Sequence, residues 1–425
     1  MTKKEFKAAM LRGLGRCVLA VRENPEKYRD YVLWACKRNY AYDAQIEGTR
    51  SWYTYTMANA YHDTETFINA AAEALKKYRP NSTWDLLHLS ELLMFFALDG
   101  YGTAQRALEE KYHELLNRML ARKRRPNCVF HELKDLEQLG LVLAVDSSAF
   151  LRIAGDFGRL YREKKFMQDG DFEWFFSSKG SQYKKSMERA AKTDENIACF
   201  MQREQAADAR FKEPQKETPP ESLKGVPLSR WLASEGDNDT KAHYAALYRE
   251  EQEPMARAKA LEAFFDCPYP EDPAPLIEDT ASPCEQLQFV AWRALSEIRH
   301  PAVRAFALSN LAKGNRTPEN FALLTANAMP EDEDFVEALL REKITAEDPD
   351  DRHWAGMTVL DAVDKDGGMK HLLPLLYEHT PCSCCRESIL RSMAKHRMLT
   401  EEILKECLND SSDDIRCFAE KRLKR

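Results

Sequence analysis

A recurrence of about 30 residues in the C-terminal part of the chain constrains the fold more than any other feature of the sequence. Apolar runs of helical spacing begin at Met255, Cys284, Pro318, Pro349, Cys384 and Asp414. Aligned on the polar residue in the first turn, they give a column of Arg257, Gln286, Asn320, Arg352, Arg386 and Arg416, separated by 29, 34, 32, 34 and 30 residues. A second amphipathic run lies between successive starts, as in Pro301 to Leu311, Asp334 to Ile344, Met369 to Tyr377 and Glu401 to Leu408. Two helices of roughly a dozen residues per period cannot bury their apolar faces alone, so neighbouring units must stack. The pattern predicts an all-α fold, specifically an α-solenoid of antiparallel helix pairs.

The rest of the chain is compatible with helices throughout. Only 16 glycines occur in 425 residues, well below average usage, which disfavours a fold rich in tight hairpins. Helical stripes recur between Thr2 and about Phe166: Leu86, Leu89, Leu93 and Phe96 in one, Leu108, Tyr112, Leu115 and Met119 in another. Ser82 and Thr83 offer an N-cap for the first of these, and Ser147 for a later helix. The stretch 211–227 holds four of the 19 prolines among Lys and Glu, and predicts an extended linker. The expected organisation is therefore a helical domain over 1–210, the linker 211–227, and a repeat domain over 228–425 that ends in a polar capping helix.

Two segments of that repeat domain carry a family resemblance. Asp350-Asp-Arg-His-Trp-Ala-Gly-Met-Thr-Val-Leu360 and Asp413-Asp-Ile-Arg-Cys-Phe-Ala-Glu-Lys-Arg-Leu423 each place an acidic N-cap before an Arg, then Ala and Leu at helical spacing. Residues 240–425 thereby resemble HEAT-like repeats, in particular the short bacterial kind found in phycobilisome-lyase-like proteins. The resemblance implies a superhelical repeat fold of the kind that serves as a binding scaffold. It is nearly silent on function, because such repeats serve unrelated pathways.

Composition narrows the classes of partner. A net charge of −7 is opposite to the usual balance of a nucleic-acid-binding surface. Eleven cysteines without an apolar leader read as reduced cytoplasmic thiols, and no apolar run is long enough to span a membrane. Phosphate-loop, Gly-x-Ser-x-Gly and His-Glu-x-x-His signatures are absent, so an enzyme is not the favoured reading and no cofactor is expected.

Three segments stand out as candidate sites. The first is Tyr40 to Tyr61, where Asp43, Glu47 and Arg50 share a face if the segment is one helix, followed by Trp52, Tyr53 and Tyr55. This is the expected ligand- or partner-binding patch; the bland alternative is an i,i+3 ion pair with packed aromatics. The second is Cys382, Cys384 and Cys385 after His379. Up to four donors could suit zinc, but the loop is short and lacks a second Cys/His pair, so no metal is expected. A helix N-terminus there would lower a thiol pKa and make these candidate reactive thiols, against an alternative of structural thiols at a repeat junction. The third is Arg122 to Arg125 with Lys164, Lys165, Lys184, Lys185 and Lys192, either a phosphate-binding stripe or cations that meet a helix C-terminus. Trp84-Asp85, Trp174 and Trp354 leave open a rival reading: some HEAT-like proteins are DNA glycosylases with a Trp-lined cleft and a catalytic Asp. That family's motif does not map onto this chain, so no catalytic residue is carried over. The favoured expectation is a scaffold that binds a protein or peptide on its concave surface.

Overall fold

The computed structural model describes residues 1–79, 83–124, 129–211 and 223–424. Among them the secondary structure is entirely helical, from Lys3–Arg12 at the N-terminus to Asp413–Leu423 at the C-terminus. No described helix is long and apolar enough to cross a membrane.

The repeat starts fall where the periodicity puts them. Helices begin at Pro254, Glu285, Pro318, Pro349, Ser383 and Asp413, each within one residue of its expected start. Local chemistry explains the agreement. Pro254, Pro318 and Pro349 occupy the first helical position, where a missing N–H costs nothing. Glu253, Thr317 and Asp348 precede them and accept first-turn amides with their side chains. Between them lie Pro301–Ala312, Glu333–Ile344, Leu373–His379 and Glu401–Cys407.

Some boundaries differ from expectation. Asp146, not Ser147, caps the helix Ser147–Glu163, its carboxylate accepting from the amide of Ala149. The predicted cap Ser82 and most of the predicted linker (212–222) lie outside the described residues. The end of that linker is helical: Gly225–Ser234 takes Pro227 into its first turn, where the ring is tolerated.

Two compact units divide the described chain. The first comprises 1–211, 382–384 and 400–424; the second comprises 223–381 and 385–399. The last helix pair thus belongs with the N-terminal helices, whereas its sequence pattern groups it with the repeats.

In the first unit, helices pack mainly on their neighbours and next-but-one neighbours, most extensively where Ser147–Glu163 lies against Glu195–Phe211. Phe150, Phe157, Phe172, Phe175 and Phe200 build the core there, with Phe157 and Phe172 stacked at 3.9 Å. The second unit follows the same neighbour-and-next rule. Pro301–Ala312 packs chiefly on the helix after it, Pro318–Ala326, which also meets Pro349–Asp366.

Candidate functional site

The segment singled out around Arg50 is two short helices, not one. Ala44–Glu47 is capped by Asp43, which accepts from the amides of Gln45 and Ile46. Gly48 ends it at φ 74°, a left-handed value that favours glycine, and Ser51–Ala58 starts afresh. The Glu47–Arg50 pair nevertheless forms, at 2.7 Å, with side chains 0% and 1% exposed.

Both residues are engaged in holding the first unit together. Glu47 accepts from the amides of Asp43 at 2.8 Å and Ser383 at 2.7 Å. Burial opposes its ionisation, but Arg50 and these two amides outweigh burial and hold its carboxyl below the usual range. Arg50 also donates to the Ser411 hydroxyl at 2.5 Å, reaching the last helix pair. Beside it the Arg416 guanidinium lies 3.5 Å from the centroid of the Trp52 ring, and the Tyr53 hydroxyl donates to the Leu14 carbonyl at 2.6 Å. Tyr55 is half-buried against Phe95 and Phe96 and donates to Asp99 at 2.6 Å. Asp43, Glu47, Arg50, Trp52, Tyr53 and Tyr55 thus form a clasp in which most polar groups are bonded within the first unit, while Arg50 Nε is buried with no hydrogen-bond partner among the described residues.

In the basic run, Arg122 is likewise tied down, while Lys123 and Arg124 are exposed. Arg122 pairs with the buried Glu132, and the Lys164 ammonium donates to the carbonyls of Leu120 and Arg122 at the end of Gly102–Ala121. Cations there meet the negative end of the helix. Asp85, beside the exposed Trp84, accepts the amide of Asn39 at 2.8 Å.

The three thiols straddle the start of Ser383–Lys395 and have different surroundings. Cys382 is buried. The Cys384 thiol lies 3.8 Å from the carbonyl of Ile46, and Cys385 Sγ lies 2.9 Å from His353 Nε2.

A buried carboxylate that the sequence does not flag sits in the aromatic core of the first unit. Glu204 is fully buried; one oxygen accepts the Tyr161 hydroxyl and the other has no hydrogen-bond partner among the described residues. Burial pushes its pKa up to about 7, against the lowering effect of Tyr161. The folded state therefore holds this proton more tightly than the unfolded chain, whose carboxyl titrates near 4.5. Stability from this group is present below that pH and is lost as pH rises towards 7, by up to roughly 3 kcal/mol. Glu204→Gln is expected to raise the melting temperature at pH 8 and to flatten its pH dependence, with little gain at pH 5. Melts of both proteins across that range check this, and parallel curves would refute it.

The second unit carries the open cleft. It measures about 900 Å³ and is lined by Phe289, Trp292, Arg293, Pro318, Glu319 and Trp354, among others. Phe289 is 62% exposed. A smaller recess of about 200 Å³ shares Arg293 and Trp354 and adds Arg299, Asp361 and Lys365. Burial raises the Asp361 pKa, with Lys365 opposing. Of the sequence candidates only Trp354 lines this cleft. The signal for the others is legible afterwards: Leu287, Val290, Ala291, Ala294 and Leu295 make the buried stripe of Glu285–Leu295, and Phe289 and Trp292 fall off it.

No family model, no curated protein and no solved structure matches this chain.

Proposed function

We propose that this protein is a helical-repeat scaffold of the HEAT-like kind, and that the cleft over residues 280–365 receives an extended peptide segment bearing an aromatic or long aliphatic anchor. The observation that carries the reading is an exposed aromatic, Phe289, in the lining of a cleft of about 900 Å³ that Trp292 and Trp354 also line. Polar side chains such as Gln288, Asn315 and Thr317 stand among the aromatic ones there, and polar groups that converge beside apolar walls fix a bound segment's orientation. The charges that line the cleft and its recess are mixed: Glu285, Glu319 and Asp361 against Arg293, Arg299 and Lys365. Phosphate backbones select for a single positive sign, so a mixed lining supports a polypeptide over a nucleic acid. The packing of each helix on its neighbour and next neighbour agrees with a stacked-pair architecture.

The test is selection of a displayed random peptide library on the immobilised protein, followed by titration of the enriched peptides. Enriched sequences are expected to share an apolar anchor and to lose more than about tenfold in affinity on Phe289→Asp, the scale of a binding hot spot. Phe289 is exposed, so that variant keeps the wild-type melting curve. Failure to enrich a shared motif, or equal binding to the variant, would overturn the reading. Competition by single-stranded or duplex DNA would instead favour the glycosylase-like or nucleic-acid-binding alternative.

A further inference from the structure

We propose that Cys385 and His353 form a nucleophilic thiol–imidazole pair that carries out thiol–disulfide exchange with small disulfides. Three independent features converge on this sulfur. His353, from the helix Pro349–Asp366, places Nε2 2.9 Å from Cys385 Sγ, within reach for proton transfer. Cys385 is the third residue of Ser383–Lys395, so its side chain stands at the positive end of a helix of 13 residues. Both side chains are partly exposed, so a small molecule can reach the sulfur. A thiolate is favoured by each of the first two features and is the attacking species in exchange chemistry.

On its own helix, the charged neighbours of Cys385 leave this arrangement intact. Arg386 follows Cys385 directly in the chain. The nearest acid on the same helix, Glu387, is held by Arg391 at 2.9 Å. Three other thiols are placed differently: burial pushes Cys17 up to about 12 and Cys36 higher still, and Cys384 faces a carbonyl in place of an imidazole.

The reaction balances without any further reagent. His353 takes the Cys385 proton, and the thiolate attacks one sulfur of a disulfide R–S–S–R. A Cys385–S–S–R bond forms as the R–S–S–R bond breaks, and the departing thiolate leaves as R–SH with the proton held on His353. Cys385 and one R–S sulfur end as the new disulfide, while the other R–S sulfur is reduced to the thiol.

The full-length protein is treated with glutathione disulfide, and separately with iodoacetamide, over a series of pH values. Adducts are then assigned to individual cysteines by fragment-ion mass spectrometry. At roughly pH 6.5, Cys385 is expected to be alkylated at least about tenfold faster than Cys417, the exposed reference thiol. Glutathione is expected on Cys385 and absent from a Cys385→Ser variant. His353→Gln is expected to move the pH–rate curve of Cys385 to higher pH and leave that of Cys417 in place. A Cys385 rate equal to that of Cys417 in the wild type would sink the proposal without recourse to any variant. So would an unmoved curve in a folded His353→Gln protein, or rapid alkylation with no glutathione adduct.

Discussion

Arg50→Ala should destabilise the protein by roughly 3–5 kcal/mol, the usual cost of leaving one partner of a buried ion pair alone. Its side chain is 1% exposed and its ionic partner Glu47 is fully buried, so water cannot replace the lost guanidinium. The bond to Ser411 fails with it, and Glu47 loses electrostatic support as acceptor of the Ser383 amide. Lysine should not rescue the site, because one ammonium cannot present the forked pair of donors that bridges Glu47 and Ser411. Removing both charges, as in Arg50→Met with Glu47→Gln, should recover part of the loss. Urea unfolding of the three variants measures this. If Arg50→Ala loses less than about 1 kcal/mol, the level of an exposed pair, the buried-clasp account is wrong.

The second large effect is expected at Gly15, where the constraint is space, since its φ of −59° suits any residue. A Cβ built on Gly15 would stand 1.9 Å from the carbonyl oxygen of Glu406, so even Gly15→Ala must push the helix Glu401–Cys407 away. Overpacking of this kind costs about 1–3 kcal/mol, and here it acts on a boundary between chain ends. The contacts at risk are Arg16 with Glu406 at 2.8 Å, Arg22 with Asn409 at 3.1 Å, and the amide of Ser411 with the carbonyl of Gly13 at 3.0 Å. Residues 400–424 are expected to lose amide protection and to become an early site of tryptic cleavage, while the core around Phe157 and Phe172 keeps its exchange rates. Hydrogen exchange read by mass spectrometry separates these outcomes, and unchanged protection at 400–424 would contradict the prediction.

The spacing of Glu47 and Arg50 is legible in the sequence, and so is the aromatic cluster that follows. Their role is not, because the partners that decide it lie far along the chain: Ser411 is 361 residues from Arg50. A polar and aromatic cluster looks the same in sequence whether it faces solvent or a distant helix. The open cleft shows the converse. Phe289 and Trp292 sit off the buried stripe of their helix, a local signal, yet only the separation of the surrounding helices turns them into a lining.

The sequence by itself determined where the six aligned helices begin, because caps, first-turn prolines and apolar stripes act within a few residues. Only the tertiary structure decided which helices share a core. Arg257 and Arg416 occupy the same column of the repeat, and each lies over an aromatic ring. For Arg257 the ring is Tyr248, nine residues earlier, with Asp279 on the following helix as its ionic partner. For Arg416 the ring is Trp52, at the other end of the chain. Helix signals are local in free energy, whereas the choice of packing partner depends on which apolar faces remain uncovered once all the others have paired, and no local pattern encodes that remainder.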